Sequence, residues 1–295
     1  MNRSTSRISV IIPAKNEAAS LAQLLPQIRA HYPEAELIVV NDGSTDSTSE
    51  IAIACNARVV NHPYSKGNGA AIKSGARAAN GEVLVFMDAD GQHQAHEIDR
   101  LLNTLNSGHD MVVGARNRAG QANHHRAFAN RFYNRLASWM VGQKVLDLTS
   151  GFRAVRRKQF LQFLPLLPNG FSYPTTITMC FFRSGYSVAY ESVNVLQRQG
   201  KSHIHLTKDG LRFLLIIFKV GTLFSPLKLF APIALSFFSV GIAYYAYTFL
   251  SFGRFTNMSA LLISNSVLIF LFGLVAEQIT SLMYLRIDSA LENEE

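Results

Sequence analysis

The sequence predicts an α/β domain on a mostly parallel sheet, followed by a two-helix membrane hairpin. Three observations carry this expectation. Short β-branched runs alternate with helical stretches over residues 8–115, as in chains of strand–helix–strand units. Two of those runs end in polar clusters, Asn41-Asp42-Gly43 and Asp88-Ala89-Asp90, at the strand ends where parallel sheets bind ligands. The chain holds 28 Lys or Arg and 20 Asp or Glu, yet residues 229–285 contain only Arg254 and Glu277.

The elements follow in order. Residues 8–14 (ISVIIPA), 36–42 (ELIVVND), 57–62 (ARVVNH), 82–88 (EVLVFMD) and 110–115 (DMVVGA) read as strands buried on both faces, and hence as parallel. Helices are expected at 17–31, 45–55, 68–79 and 95–107. Residues 117–145 read as a basic, partly helical stretch. Two more strands, 151–157 and 186–196, flank a helix at 173–184. The soluble domain is expected to span 1–206, with a juxtamembrane amphipathic region at 207–228. Neither Leu229–Gly253 nor Phe255–Ala276 contains a charge, and about 20 apolar residues cross a bilayer core. The hairpin 229–285 therefore has spans at 229–252 and 256–280, before an acidic tail at 286–295. Lys208, Arg212, Lys219 and Lys228 mark the hairpin base as cytoplasmic, although Arg254 at the tip runs against this.

Composition narrows the function classes. A hydrophobic share of 48% excludes general disorder. Residues 116–219 carry 16 Lys or Arg against 3 Asp or Glu, an excess of +13 within a net charge of +8. Such a patch suits an anionic membrane surface or a phosphorylated substrate. No nucleic-acid-binding motif accompanies it. Cys55 and Cys180 are too few for a disulfide framework or zinc cluster and read as buried thiols. The apolar run after MNRSTSR stops at Pro13, too short for a signal peptide, so the N-terminal domain is expected in the cytoplasm. The nine histidines show no metal spacing.

The chemistry concentrates in MDADGQH, residues 87–93. Asp88 and Asp90 are hard oxygen donors suited to Mg²⁺ or Mn²⁺ bridging a diphosphate. Alternate residues of an extended strand face opposite ways, so both reach one site only if the chain bends there. In VVNDGSTDST (39–48), Asp42 ends a buried strand, suggesting a nucleotide base or ribose contact, and Ser44 or Thr45 is placed to cap the next helix. In IIPAKNE, Pro13 ends the first strand and Glu17 opens a helix, where the dipole favours a carboxylate.

These strings, with KGNGAAIKSG, resemble the inverting family 2 glycosyltransferases of the GT-A fold, which bind nucleotide diphosphosugars. VGAR (113–116), DLTSGFRAVRR (147–157) and QGKSHIHLTKDG (199–210) are similar to the dolichyl-phosphate mannose synthase and polyprenyl-phosphate glycosyltransferase branch. The resemblance covers about residues 8–225, and the tail matches members with a C-terminal membrane hairpin. It implies that Pro13, Glu17 and Asp42 line the nucleoside pocket, with Lys66 on the nucleotide side. Asp88, Asp90 and Gln92 would hold the metal and sugar diphosphate. Arg116, Arg131, Ser150 and Arg153 would serve the lipid phosphate. Arg198, Lys201 and Ser202, in QRQGKS, would close on the diphosphates, with Ser202 also near the lipid phosphate. Asp147 is the best carboxylate for a base or sugar contact, or else it orients Arg153. His93 lies close enough to the acidic pair to touch the site.

The reading that follows is one sugar transferred, with inversion, from a UDP- or GDP-sugar to undecaprenyl or dolichyl phosphate. The enzyme would be an integral protein of a bacterial inner membrane with both termini cytoplasmic, and small residues on the hairpin allow a homo-oligomer. A processive polysaccharide synthase would carry a Q-x-x-R-W motif and more spans, whereas Trp139, the single tryptophan, lies outside any such string. A sugar nucleotidyltransferase would show an N-terminal glycine-rich basic loop. Another acceptor, or a non-catalytic scaffold that binds lipid and nucleotide sugar, remains as the alternative.

Overall fold

The structure is a computed structural model that describes residues 7–116, 124–170, 172–194, 218–219 and 221–292, with the backbone alone described at 124–130, 132 and 284–292. The chain divides into two compact units, residues 1–204 and 205–295.

Among the described residues, the first unit has seven strands: β1 (Ile8–Ala14), β2 (Glu36–Asn41), β3 (Arg58–Asn61), β4 (Val83–Phe86), β5 (Met111–Arg116), β6 (Arg153–Arg156) and β7 (Val188–Val193). They form one sheet in the order β3-β2-β1-β4-β6-β5-β7. Helices α1 (Ala18–His31), α2 (Thr48–Ala54), α3 (Asn68–Ala78), α4 (Glu97–Asn106), α5 (His124–Val141), α6 (Arg157–Gln162) and α7 (Tyr173–Arg183) make most of the connections. All pairings are parallel except those of β6, which runs antiparallel to β4 and β5. Arg153, the first residue of β6, pairs with Phe86 at the end of β4 and with Val113 in the middle of β5. The reversal therefore brings the preceding loop, residues 147–151, to the edge where β4 and β5 deliver their last residues.

Alternation along each strand divides the core between two layers. Val10 and Ile12 join Leu21, Leu25 and Ile28 of α1 and Ile98, Leu101 and Leu105 of α4 in one buried cluster. Ile11 faces the opposite layer, where α3 approaches so closely that a Cβ on Gly75 would lie 2.4 Å from its Cγ2. Phe86 meets Phe160 of α6 in that layer, with ring centroids 4.7 Å apart. The expectation of strands buried on both faces fails for β3, an edge strand with half-buried Val59 and Val60 and exposed ends. Cys180 is buried as expected, but Cys55 is only half-buried, because it terminates α2 at the surface.

The second unit is a helical hairpin of α8 (Pro226–Phe252) and α9 (Asn257–Glu292). Both helices are long and apolar enough to cross a membrane. The first starts three residues earlier than the charge pattern implies, because Pro226 fits the opening turn of a helix. The second continues through most of the expected acidic tail, since no Gly or Pro interrupts residues 274–292. Their outward faces carry large apolar side chains, among them Leu235, Tyr247, Leu250 and Phe272. Buried Thr248, Ser266 and Thr280 hydroxyls donate to carbonyls of their own helices, which satisfies them without water. At the hairpin base the Glu277 carboxylate accepts the Leu227 N–H at the start of α8, at 3.2 Å.

The contact of α3 with β1 generates a prediction. Gly75→Val drives a branched side chain into Ile11 and Val40, and overpacking of this kind costs about 1–3 kcal/mol. Thermal unfolding of the purified protein should show a lower midpoint, and an unchanged midpoint would contradict this packing.

Candidate active site

The first wall of the site is made by the loops after β1 and β2, which cap one another. Asn16 takes a left-handed conformation, φ 56°, and its side-chain oxygen accepts the Thr45 N–H at 2.8 Å. In return Ser44, Thr48 and Asp46 accept the N–H groups of Asn16, Glu17 and Ala18. These residues thus cap α1, whereas Ser44 or Thr45 was expected to cap α2. Asp46 does accept the Thr48 N–H in the first turn of α2. Glu17, at the head of α1, accepts the Ser20 hydroxyl. Pro13 is half-buried beside Val40.

Asp42 does not present a vacant acceptor to a ligand. Oδ1 accepts from His62 Nδ1 at 2.7 Å and the Lys66 N–H at 2.8 Å. Oδ2 accepts from Ser65 Oγ at 2.8 Å and the Gly67 N–H at 2.9 Å. Four donors fill the acceptor sites of a carboxylate. Burial works against the charge, but these bonds, led by that of His62, outweigh it and hold the carboxyl at about 2. Because the carboxylate only accepts, His62 Nδ1 carries the hydrogen, and Nε2 meets Ser74 Oγ at 2.9 Å. Asp42 therefore fastens the 62–67 segment, leaving the Lys66 side chain exposed near the Tyr64 ring.

The second part is the end of β4. The strand stops at Phe86 and the chain turns at Ala89–Asp90, which supplies the bend that a shared role for Asp88 and Asp90 requires. Asp90 Oδ1 accepts the Gln92 N–H at 3.2 Å. The Asp88 carboxylate packs on the backbone of Gly151, where a Cβ would lie 2.9 Å from Oδ2. No group of three or more His, Cys, Asp or Glu among the described residues is arranged to hold a metal alone. Two half-buried carboxylates with a glycine cradle fit Mg²⁺ or Mn²⁺, which bind through one or two carboxylates with phosphate and water completing the shell.

The third part joins the end of β5 to the 147–151 loop. Arg116 Nε donates to Asp147 Oδ2 at 2.9 Å and Nη2 donates to Oδ1 at 3.0 Å. Nη2 also reaches Thr149 Oγ1 at 2.5 Å. Asp147 further accepts the Thr149 and Ser150 N–H groups. Burial opposes its charge, yet Arg116 and the backbone donors hold its pKa below the usual carboxylate range. Asp147 thus orients Arg116, not Arg153. Ser150 is buried, its hydroxyl donating to the Gly114 carbonyl at 2.6 Å.

Arg153 corrects the sequence expectation more sharply. Its side chain is completely buried, since β6 lies between β4 and β5 in the sheet, so it does not face a lipid phosphate. Nη2 donates to the Ser150 carbonyl, and Nη1 donates to the Pro174 carbonyl and Thr178 Oγ1. Nε has no partner. Burial presses this cation toward neutrality, and the nearby charges of Asp147 and Asp88 are among the groups that oppose it.

His93 is buried against Phe152, ring centroids 4.5 Å apart. Burial, then the Arg116 charge, lowers its pKa to about 4, so the imidazole is neutral at pH 7. Arg131 is exposed on α5. Arg198, Lys201 and Ser202 lie outside the described residues. Sequence reasoning missed two connecting groups. His62 bridges Asp42 to Ser74, and Asn134 of α5 clasps the loop by donating to the Leu146 carbonyl and accepting the Leu148 N–H. Neither has a local motif, because the partners are separated in the chain.

Asp42→Ala leaves four donors without their acceptor. Each buried orphan costs about 1–3 kcal/mol, so the variant should lose at least about 2 kcal/mol of stability and bind nucleotide more weakly. Urea unfolding and nucleotide titration check this, and retention of both properties would contradict the anchoring role.

Residues 9–163 match the family model Glycosyl transferase family 2, and residues 225–282 match GtrB C-terminal hairpin. The polyprenol monophosphomannose synthase of Mycolicibacterium smegmatis is 31% identical over 212 residues, covering 67% of this chain and 80% of that protein. The undecaprenyl-phosphate 4-deoxy-4-formamido-L-arabinose transferase of Photorhabdus laumondii is 34% identical over 188 residues, covering 57% of this chain and 58% of that protein. The chain therefore spans little more than half the length of that second relative. Glucosyl-3-phosphoglycerate synthase of Mycobacterium tuberculosis, crystallised with Mn²⁺ and UDP-glucose, superimposes with TM-score 0.61 at 25% identity, covering 74% of this chain and 80% of that one. The shared architecture is the GT-A arrangement, and the hairpin match associates the chain with a membrane. With its family model spanning more than half of its length, the chain belongs to glycosyl transferase family 2.

Proposed function

We propose that this chain transfers one sugar from a nucleotide diphosphosugar to a polyprenyl phosphate at a membrane surface, with inversion. The observation that carries the reading is the Arg116–Asp147 pair at the end of β5, next to the loop that packs on Asp88. It sets an oriented guanidinium for an anionic acceptor beside carboxylates suited to a metal-bound diphosphate. One relative is named as a polyprenol monophosphomannose synthase and another as an undecaprenyl-phosphate sugar transferase, and the hairpin supplies a reason for a lipid acceptor.

Asp88 and Asp90, with Gln92, would hold Mg²⁺ or Mn²⁺ and the sugar diphosphate. When bound, the cation stabilises negative charge on the departing diphosphate. Pro13, Glu17 and the 62–67 segment fastened by Asp42 would line the nucleoside side, with Lys66 at its rim. Arg116 and Arg131 would bind the lipid phosphate, with Ser150 setting the loop, and Arg198, Lys201 and Ser202 would close on the phosphates. A lipid phosphate oxygen attacks the anomeric carbon as the bond to the nucleoside diphosphate breaks. That nucleophile is already largely ionised at pH 7, its second pKa being about 6. The reaction thus needs orientation more than a base, consistent with an Asp147 that is ion-paired and hydrogen-bonded.

The catalytic domain, up to about residue 206, and both termini would be cytoplasmic, with 207–228 at the interface, the hairpin over 229–285 and 286–295 beyond it. A bacterial inner membrane and a homo-oligomer are part of this proposal. The test supplies purified protein with undecaprenyl or dolichyl phosphate and labelled UDP- and GDP-sugars, with Mn²⁺ or Mg²⁺ and with EDTA. Label should enter the lipid phase from one donor, vanish with EDTA, and fall at least 100-fold in Asp90→Ala, about 2.7 kcal/mol of lost transition-state stabilisation. No lipid label with any donor would overturn the acceptor assignment.

A further inference from the structure

Bordering the site, one surface of the first unit combines exposed aromatic, aliphatic and cationic groups. Arg131, Arg135 and Trp139 follow one another at i, i+4 and i+8 on α5 and so share a stripe. All three are exposed, Trp139 by 49%. The inward side of the helix is taken by buried Ala137 and Met140. Asn134 and Ser138, at the border of the stripe, hold the following loop against the helix. Asn134 bonds Leu146 and Leu148, and Ser138 Oγ accepts the Val145 N–H at 2.9 Å. The loop thereby presents Leu146, 45% exposed, and exposed Lys144 beside the stripe. Residue 147, next in the chain, is the aspartate that grips Arg116.

We infer that this edge, formed by Arg131, Arg135, Trp139, Lys144 and Leu146, docks on an anionic lipid surface and sets the mouth of the acceptor site at headgroup depth. Charge complementarity decides the occupant: residues 117–146 contain five Lys or Arg and no Asp or Glu. A tryptophan and a leucine ringed by cations match the headgroup region, where an indole has both an apolar and a polar neighbour. Each cation near an anionic leaflet contributes attraction that extends about a Debye length, roughly 8 Å at physiological salt. Arg116 is fixed to the same loop, so docking would hold it where a lipid phosphate emerges from the bilayer. The acceptor part of this inference rests on the proposed function, but the docking does not.

Trp139 is the chain's single tryptophan, so its fluorescence reports on this edge without labelling. Full-length protein is reconstituted in vesicles of phosphatidylcholine, with and without phosphatidylglycerol, and without substrate. Emission is quenched with brominated lipid in the bilayer or acrylamide in the water. The inference expects brominated lipid to quench Trp139 at least twofold more strongly in vesicles containing phosphatidylglycerol, with acrylamide quenching reduced there. Arg135→Glu with Lys144→Glu should abolish that difference. Quenching by acrylamide alone would overturn the docking. A blue-shifted emission insensitive to brominated lipid would overturn it in favour of a protein partner, and equal lipid quenching in both vesicle types would overturn the anionic requirement. Because no turnover is involved, failure here is distinguishable from failure of the transfer assay.

Discussion

The bidentate pair between Arg116 and Asp147 is the constraint on which the geometry of the site depends. It ties the last residue of β5 to the loop that turns the chain back into β6. That loop then does several things at once. Gly151 packs on the Asp88 carboxylate, Ser150 bonds the Gly114 carbonyl, and Asn134 clasps the loop to α5. Antiparallel insertion of β6 between two strands delivers the loop there, so one topological departure from a parallel sheet assembles this wall of the site.

Charge is divided across the site in a way that suits joining two anions. In the proposed function, the carboxylates at the end of β4 would take up a cation before a diphosphate. The guanidinium at the end of β5 is prepared by an acid that is not itself free to react. Asp147, already ion-paired and bonded to backbone donors, is poorly placed to collect a proton. Arg153 adds a buried positive charge beneath both. Its hydrogen bonds to the Ser150 and Pro174 carbonyls show that it stiffens the loop and the start of α7. Loss of one donor at such a site would move the neighbouring acids as well as remove a contact.

Much of this was legible in the sequence, because strands, turns and the Asp88–Asp90 string are local patterns. The apolar runs of β1, β2 and β4 and the apolar hairpin read directly from residue type. What was not legible depends on partners far along the chain. Asp42 reads as a ligand contact at a strand end, yet its donors arrive from 20 to 25 residues later. Arg153 reads as a phosphate ligand in a polar string, but its register in a central strand turns it into the interior. Asp147 carries no mark in the sequence that separates an orienting acid from a base. The spacing to Arg116, 31 residues, has no helical or strand period to reveal it.

The most direct measurement is a double-mutant cycle on the transfer reaction, with apparent KM for polyprenyl phosphate and kcat determined for Arg116→Ala, Asp147→Asn and the double variant. If Asp147 acts by orienting Arg116, both single variants raise KM for the lipid. The double variant is then no worse than Arg116→Ala, because paired residues are not additive. Additive losses, or a collapse of kcat in Asp147→Asn with KM for the lipid unchanged, would contradict the account and return Asp147 to the role of a base.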